Sequence, residues 1–124
     1  MTVNLSYLAG AGAQFFDNNG VPLSGGLLYT YSAGTTTPQA TYTSNSGSIA
    51  NSNPIVLDSS GRVTNEIWLT SGQTYKFVLQ TASAVQIWSF DNISGINDFS
   101  SLLYNFQQIL VLHWLDFYNL EQVQ

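Results

Sequence analysis

Between Gly20 and Thr43 the chain reads GVPLSGGLLYTYSAGTTTPQATYT, a stretch that admits few folds. Two apolar runs, Leu27 to Tyr31 and Gln39 to Thr43, flank a Gly/Ser/Thr/Pro connection from Ser32 to Pro38. Aromatic and β-branched residues fit a pleated, half-buried surface. Gly25-Gly26 and Ala33-Gly34 are breakers that bound the first run. Pro38 holds the preceding residue extended and donates nothing to a ladder, so the second run starts there or lies at an edge. The stretch predicts a hairpin or a paired corner of an antiparallel sheet.

The same grammar continues to about Asn92. Phe15-Phe16 meets Asp17-Asn18-Asn19-Gly20, whose Asn-Gly pair supplies the positive φ of a tight turn. Residues 44–54 are a polar loop punctuated by Ile49-Ala50, and Ile55 to Leu57 is a short buried run. Asp58 to Arg62 is a turn with Gly at its fourth position. Asn65 to Leu69 and Thr74 to Gln80 flank Ser71-Gly72-Gln73 and predict another hairpin. In its second arm Tyr75, Phe77 and Leu79 alternate with Lys76, Val78 and Gln80, the period-two pattern of a strand with one buried face. Ala84 to Phe90 is the next strand, after Thr81-Ala82-Ser83, and Asp91 to Gly95 ends the run. Residues 1–14, light and apolar with Gly10 and Gly12, predict an arm that packs on a neighbour or stays mobile.

After Gly95 the breakers disappear, and apolar residues recur at spacings of three and four. This predicts one helix from about Ser100 to Gln122, with Asn97 or Asp98 as N-cap. Its centre, Ile109 to Leu115, is apolar nearly all round, and such a helix is buried on more than one side. A bundle across subunits supplies those sides, with Leu103, Phe106, Leu110 and Trp114 sharing the face that forms the oligomer interface. The opposing expectation is an aggregation-prone tail. The organisation is therefore an arm (1–14), a β-domain (15–96) and an apolar helix (97–124). The fold class is all-β, small antiparallel sheets in a compact β-domain followed by one C-terminal α-helix, assembled as a homotrimer.

Composition narrows the function. The 124 residues suit one domain. Only 7% are charged, against about 25% in an average globular protein. Arg62 and Lys76, the only basic residues, cannot neutralise a phosphate backbone, so nucleic acid is an unsuitable partner. A surface finished with Ser, Thr, Asn, Gln and Gly fits a permanent oligomer or a large assembly. Cysteine is absent, which excludes a disulfide framework and a thiolate metal site. Met1 to Leu5 carries no basic n-region, so no secretory signal is expected. No window of 18 uninterrupted apolar residues predicts a membrane span.

No catalytic constellation is legible, so no enzyme activity, cofactor or metal is expected. The one histidine, His113, lies in the apolar centre of the predicted helix, where a packed residue is commoner than a base or ligand. Three copies on a threefold axis could hold a metal or an anion, but one histidine per chain is a weak metal signature. Asp58 and Asp91 suit turn acceptors. Glu66 stands alone as an acid in the middle of a predicted strand. Gly25-Gly26 lacks the partners of a phosphate cradle. The aromatics Trp68, Trp88, Tyr29, Tyr31, Tyr42 and Tyr75 suit core packing, with stacking on sugar rings as the alternative.

The ordered series G-x-P-L-S-G-G-L-L-Y-T-Y-x-A-G-T-T-T-P-x-A-T-Y-T (Gly20 to Thr43), N-P-I-V-L-D-S-S-G-R (Asn53 to Arg62), I-W-L (Ile67 to Leu69), Y-K-F-V-L (Tyr75 to Leu79) and I-W-S-F-D-N-I (Ile87 to Ile93) resembles the head-binding, virion-anchoring domain of podovirus-type tailspikes and tail fibres. The resemblance covers about residues 12–96. It implies an all-β domain of small antiparallel sheets that trimerises and attaches a fibre or spike to the tail hub, portal or adaptor proteins. It also implies a virion protein of the phage tail, made in the host bacterial cytoplasm and not itself the depolymerase. The sequence departs from the pattern after Asp98, where such proteins continue into a linker and a receptor-binding or β-helical region. A free-standing adaptor or a fragment of a longer spike is therefore expected, and the receptor-binding role does not carry over. The alternative is a carbohydrate-binding β-module of a receptor-binding protein.

Overall fold

The computed structural model describes residues 2–98, which contain seven strands and no helix. They are β1 (Val3–Leu5), β2 (Leu27–Ser32), β3 (Thr41–Tyr42), β4 (Ile55–Val56), β5 (Trp68–Thr70), β6 (Tyr75–Gln80) and β7 (Gln86–Ile93). They build two antiparallel sheets, a smaller one ordered β1-β5-β3 and a larger one ordered β4-β2-β6-β7. The expected all-β domain of small antiparallel sheets is thus present. The predicted helix, with Leu103, Phe106, Leu110, His113 and Trp114, lies outside the described residues.

The alternation in β6 sets the core. Leu28 opposes Leu79 and Thr30 opposes Phe77, so one face of the β2–β6 ladder buries these residues together with Tyr75. The smaller sheet and its approach contribute Ile67 and Leu69 to the same cluster, β4 adds Ile55, and the loops add Phe15, Leu23, Leu57 and Val63. One apolar core therefore serves both sheets. Burying each such aliphatic or aromatic side chain contributes about 1.5–3 kcal/mol.

Of the two arrangements expected for Gly20 to Thr43 the paired corner is found, and the second predicted hairpin is absent. The Ser32–Pro38 connection does close at its neck, where Tyr31 bridges Pro38 and the Ser32 amide donates to Thr37 O at 2.9 Å. Beyond Pro38 the chain leaves, and β3 joins β5 at an edge of the smaller sheet. Likewise β5 and β6 are not a hairpin: the Ser71–Gln73 turn transfers the chain from one sheet to the other. Trp68 starts β5, so Glu66 precedes the strand instead of lying within it. In the run Ile55 to Leu57, Ile55 and Leu57 are buried but Val56 points outward. Residues 1–14 are not a detached arm: β1 pairs with β5, and Ala9 is fully buried.

A single turn design recurs three times. In Asp17–Val21, Asp58–Arg62 and Thr81–Val85 the first residue's amide donates to the fifth residue's carbonyl, at 2.9, 3.0 and 2.8 Å. The first side chain, Asp Oδ1 or Thr Oγ1, accepts from the third and fifth amides. The fourth residue's amide donates to the first carbonyl, and its φ is positive: 81° at Gly20, 74° at Gly61 and 66° at Ala84. The turn curls the backbone around one acceptor and requires a left-handed residue, the conformation glycine adopts without steric cost.

Two contacts tie the sheets together. The buried Tyr75 on β6 donates its hydroxyl to Ala40 O (2.7 Å) and accepts from the Thr70 amide (3.0 Å). After β7, Gly95 bridges Ser6 and the Ile96 amide donates to Leu5 O at 2.7 Å, so this segment covers the outer edge of β1. A Cβ on Gly95 would stand 2.5 Å from that of Asn4, so the close approach requires glycine.

Candidate interaction surface

The aromatic residues among those described are spread over the core, the core margin and both sheets. Tyr75 is core, edge-on to Phe77 at 6.4 Å. Trp88 packs on the core margin, 6.0 Å from Phe15 and 5.0 Å from Phe90. Trp68 and Tyr42 oppose each other in the smaller sheet, and the Trp68 indole N–H donates to Glu66 Oε1 at 3.1 Å. That bond gives Glu66 a positioning partner. Tyr29 and Tyr31, two apart on β2, stack with ring planes 6° apart and centroids 5.9 Å apart. The Lys76 ammonium lies over Tyr31 at 5.4 Å, a cation–π contact worth about 0.5–1 kcal/mol at an exposed site. Burial, and secondarily Tyr29, pushes the Tyr31 hydroxyl pKa above its ordinary value. Tyr31 is thus engaged by Tyr29 and Lys76, and the arrangement offers no broad aromatic platform for a sugar.

Apart from Glu66, the described carboxylates accept from backbone amides. Asp58 caps its own turn as the sequence predicted. Asp91 reaches across to the β2–β3 connection, where the Gly34 amide donates to both its oxygens at 3.0 and 3.1 Å, and it also accepts from the Asn92 amide. Among the described residues no three His, Cys, Asp or Glu side chains converge as a metal site. Every buried side-chain nitrogen or oxygen described has a hydrogen-bond partner, so no orphaned polar group marks a ligand pocket.

Several large apolar side chains also stand on the surface. Val56 on β4 is 55% exposed, and Val85 and Phe90 on the β7 arm are 60% and 50% exposed. Tyr7, Phe16, Ile49 and Ile96 add to them. The sequence hid Val56, because it sits in the run Ile55 to Leu57, which reads as buried. Among the described residues β4 and β7 are the edge strands of the larger sheet. The four residues proposed from sequence for the oligomer interface, Leu103, Phe106, Leu110 and Trp114, cannot be placed beside these, since all lie outside the described residues. No protein-family profile matches the chain, and no curated protein matches it.

Proposed function

We propose that this protein is a non-enzymatic structural component of a phage virion, a trimeric anchor or adaptor that attaches a tailspike or tail fibre to the tail or portal machinery. The observation that carries the reading is where the residues of the recurring series fall in the fold. Gly26 packs against Leu23 and Leu57, Asp58 and Gly61 build one of the three turns, and Trp88 and Phe77 flank the β6–β7 ladder. The residues that carry the resemblance thus hold core and turn positions, which supports the reading. Support also comes from a surface with two basic residues in 124 and with exposed valine, isoleucine and phenylalanine. Such a surface suits a subunit that works assembled. The aromatic arrangement gives the carbohydrate-binding reading no comparable support.

The test is the mass of the purified protein in solution, alone and mixed with virion tail proteins. Self-assembly about a threefold axis gives about three subunits at micromolar concentration, and a further complex forms with a tail-hub or portal protein. A monomer that binds no tail component refutes the proposal.

A further inference from the structure

We propose that the free edge of β7 is a self-pairing surface, through which two copies of this chain join their larger sheets across a twofold axis. β7 is the longest strand described, and among the described residues no strand pairs with its far side. An unpaired strand edge is a template for another strand, and proteins normally blunt it with lysine, proline or an inward charge. Residues 86–93 contain neither lysine nor proline. Their one charge, Asp91, is held by Gly34 and Asn92. Most of the strand is exposed, including Phe90.

The occupant is a second copy because the edge is complementary to itself. Irregularities in the β6–β7 ladder, between Tyr75 and Phe77 and between Leu79 and Gln80, leave Trp88, Ser89 and Phe90 as its regular centre. Twofold antiparallel pairing about Ser89 sets Trp88 opposite Phe90 of the second copy, twice. Cross-strand aromatic pairs of this kind are favourable. The same register places Asp91 opposite Ile87, whereas centring on Asp91 would oppose two like charges. The axis stands perpendicular to the sheet, so both cores stay on one side of the joined sheet. The other open edge, β4, has two residues and follows Pro54, which cannot donate to a ladder. This contact is separate from the anchor reading, since a twofold contact joins whatever unit the chain otherwise forms.

The absence of cysteine makes the test direct. Ser89→Cys in the full chain, at an exposed position, should form an intermolecular disulfide under mild oxidation. Cross-strand neighbours hold thiols at high effective concentration, so the bond should form at least ~10-fold faster than in the loop control Ser83→Cys. Phe90→Lys should weaken concentration-dependent self-association in sedimentation while leaving the urea midpoint nearly unchanged. Equal cross-linking rates for Ser89→Cys and Ser83→Cys overturn the proposal. So does a disulfide that forms only when Ser89→Cys is mixed with Val56→Cys, which would make β4 the occupant.

Discussion

The three recurrent turns form an internal experiment on one backbone conformation. Their fourth residues are Gly20, Gly61 and Ala84, all at positive φ, but their surroundings differ. A left-handed L-residue costs about 1–2 kcal/mol in the folded state. Replacing Gly by Ala returns about 0.4–1 kcal/mol by narrowing the unfolded ensemble. A Cβ on Gly20 meets nothing within 4 Å, so Gly20→Ala should destabilise by the difference, about 0.5–1 kcal/mol. A Cβ on Gly61 would stand 2.6 Å from both Leu23 N and Phe15 O. Those two atoms form a hydrogen bond of 2.9 Å. Gly61→Ala must therefore shift backbone and weaken that bond, which adds about 2 kcal/mol or more to the conformational cost. Ala84 already carries the strain, so Ala84→Gly should stabilise by about 0.5–1 kcal/mol. Urea unfolding followed by circular dichroism gives the three midpoints, and an unchanged slope confirms that stability alone has moved. The reasoning fails if Gly61→Ala costs no more than Gly20→Ala, or if Ala84→Gly lowers the midpoint.

Three further outcomes follow from the described contacts and from the sequence. Tyr75→Phe removes the buried hydroxyl that joins β6 to the smaller sheet, with its bonds to Ala40 O and from the Thr70 amide; the loss should be about 1–2 kcal/mol in urea unfolding, and a loss below about 0.5 kcal/mol would show that the hydroxyl is not a tie. Gly26→Val should be far more harmful than Ser24→Val, since a Cβ at Gly26 would press within 2.7 Å of Leu23 and 3.0 Å of Leu57 while Ser24 is exposed; equal melting temperatures would remove the packing argument. Leu110→Asp should leave the β-sheet circular dichroism intact while the oligomer loosens in sedimentation, as an unpaired charge in an apolar bundle is strongly unfavourable; an unchanged trimer would assign assembly to residues 2–98.

The sequence disclosed strands and turns far better than partners. Period two in Tyr75–Gln80 was legible because its alternate residues do face one core. The Asp17 and Asp58 turns were legible because Asp and Gly occupy the positions where a short acceptor and a left-handed residue are needed. The third copy was not, because Thr81 and Ala84 fill the same roles without that composition. Pairing was misread wherever a tight neck preceded a change of sheet: a turn that closes on Tyr31 and Pro38 looks locally the same whether β3 returns along β2 or departs. The surface was the least legible part, since Val56 and Phe90 become exposed only through the sheet order. Pro54 does mark an edge beside Val56, but nothing in residues 86–93 marks β7 as one.

The pairing of residues 95–96 with the outer side of β1 has a consequence for biogenesis. A chain is synthesised from its N-terminus at about 5–20 residues per second. β1 is made before both of its neighbours, β5 and Gly95-Ile96, which are separated from it by most of the described sequence. Contacts of such long range close large loops before they repay the lost entropy, and they slow folding. The smaller sheet must therefore wait for β5, and the outer edge of β1 stays uncovered until Gly95-Ile96 has left the ribosome. Until then the apolar first strand is exposed, and the nascent chain is most open to capture by a chaperone or by another copy of itself.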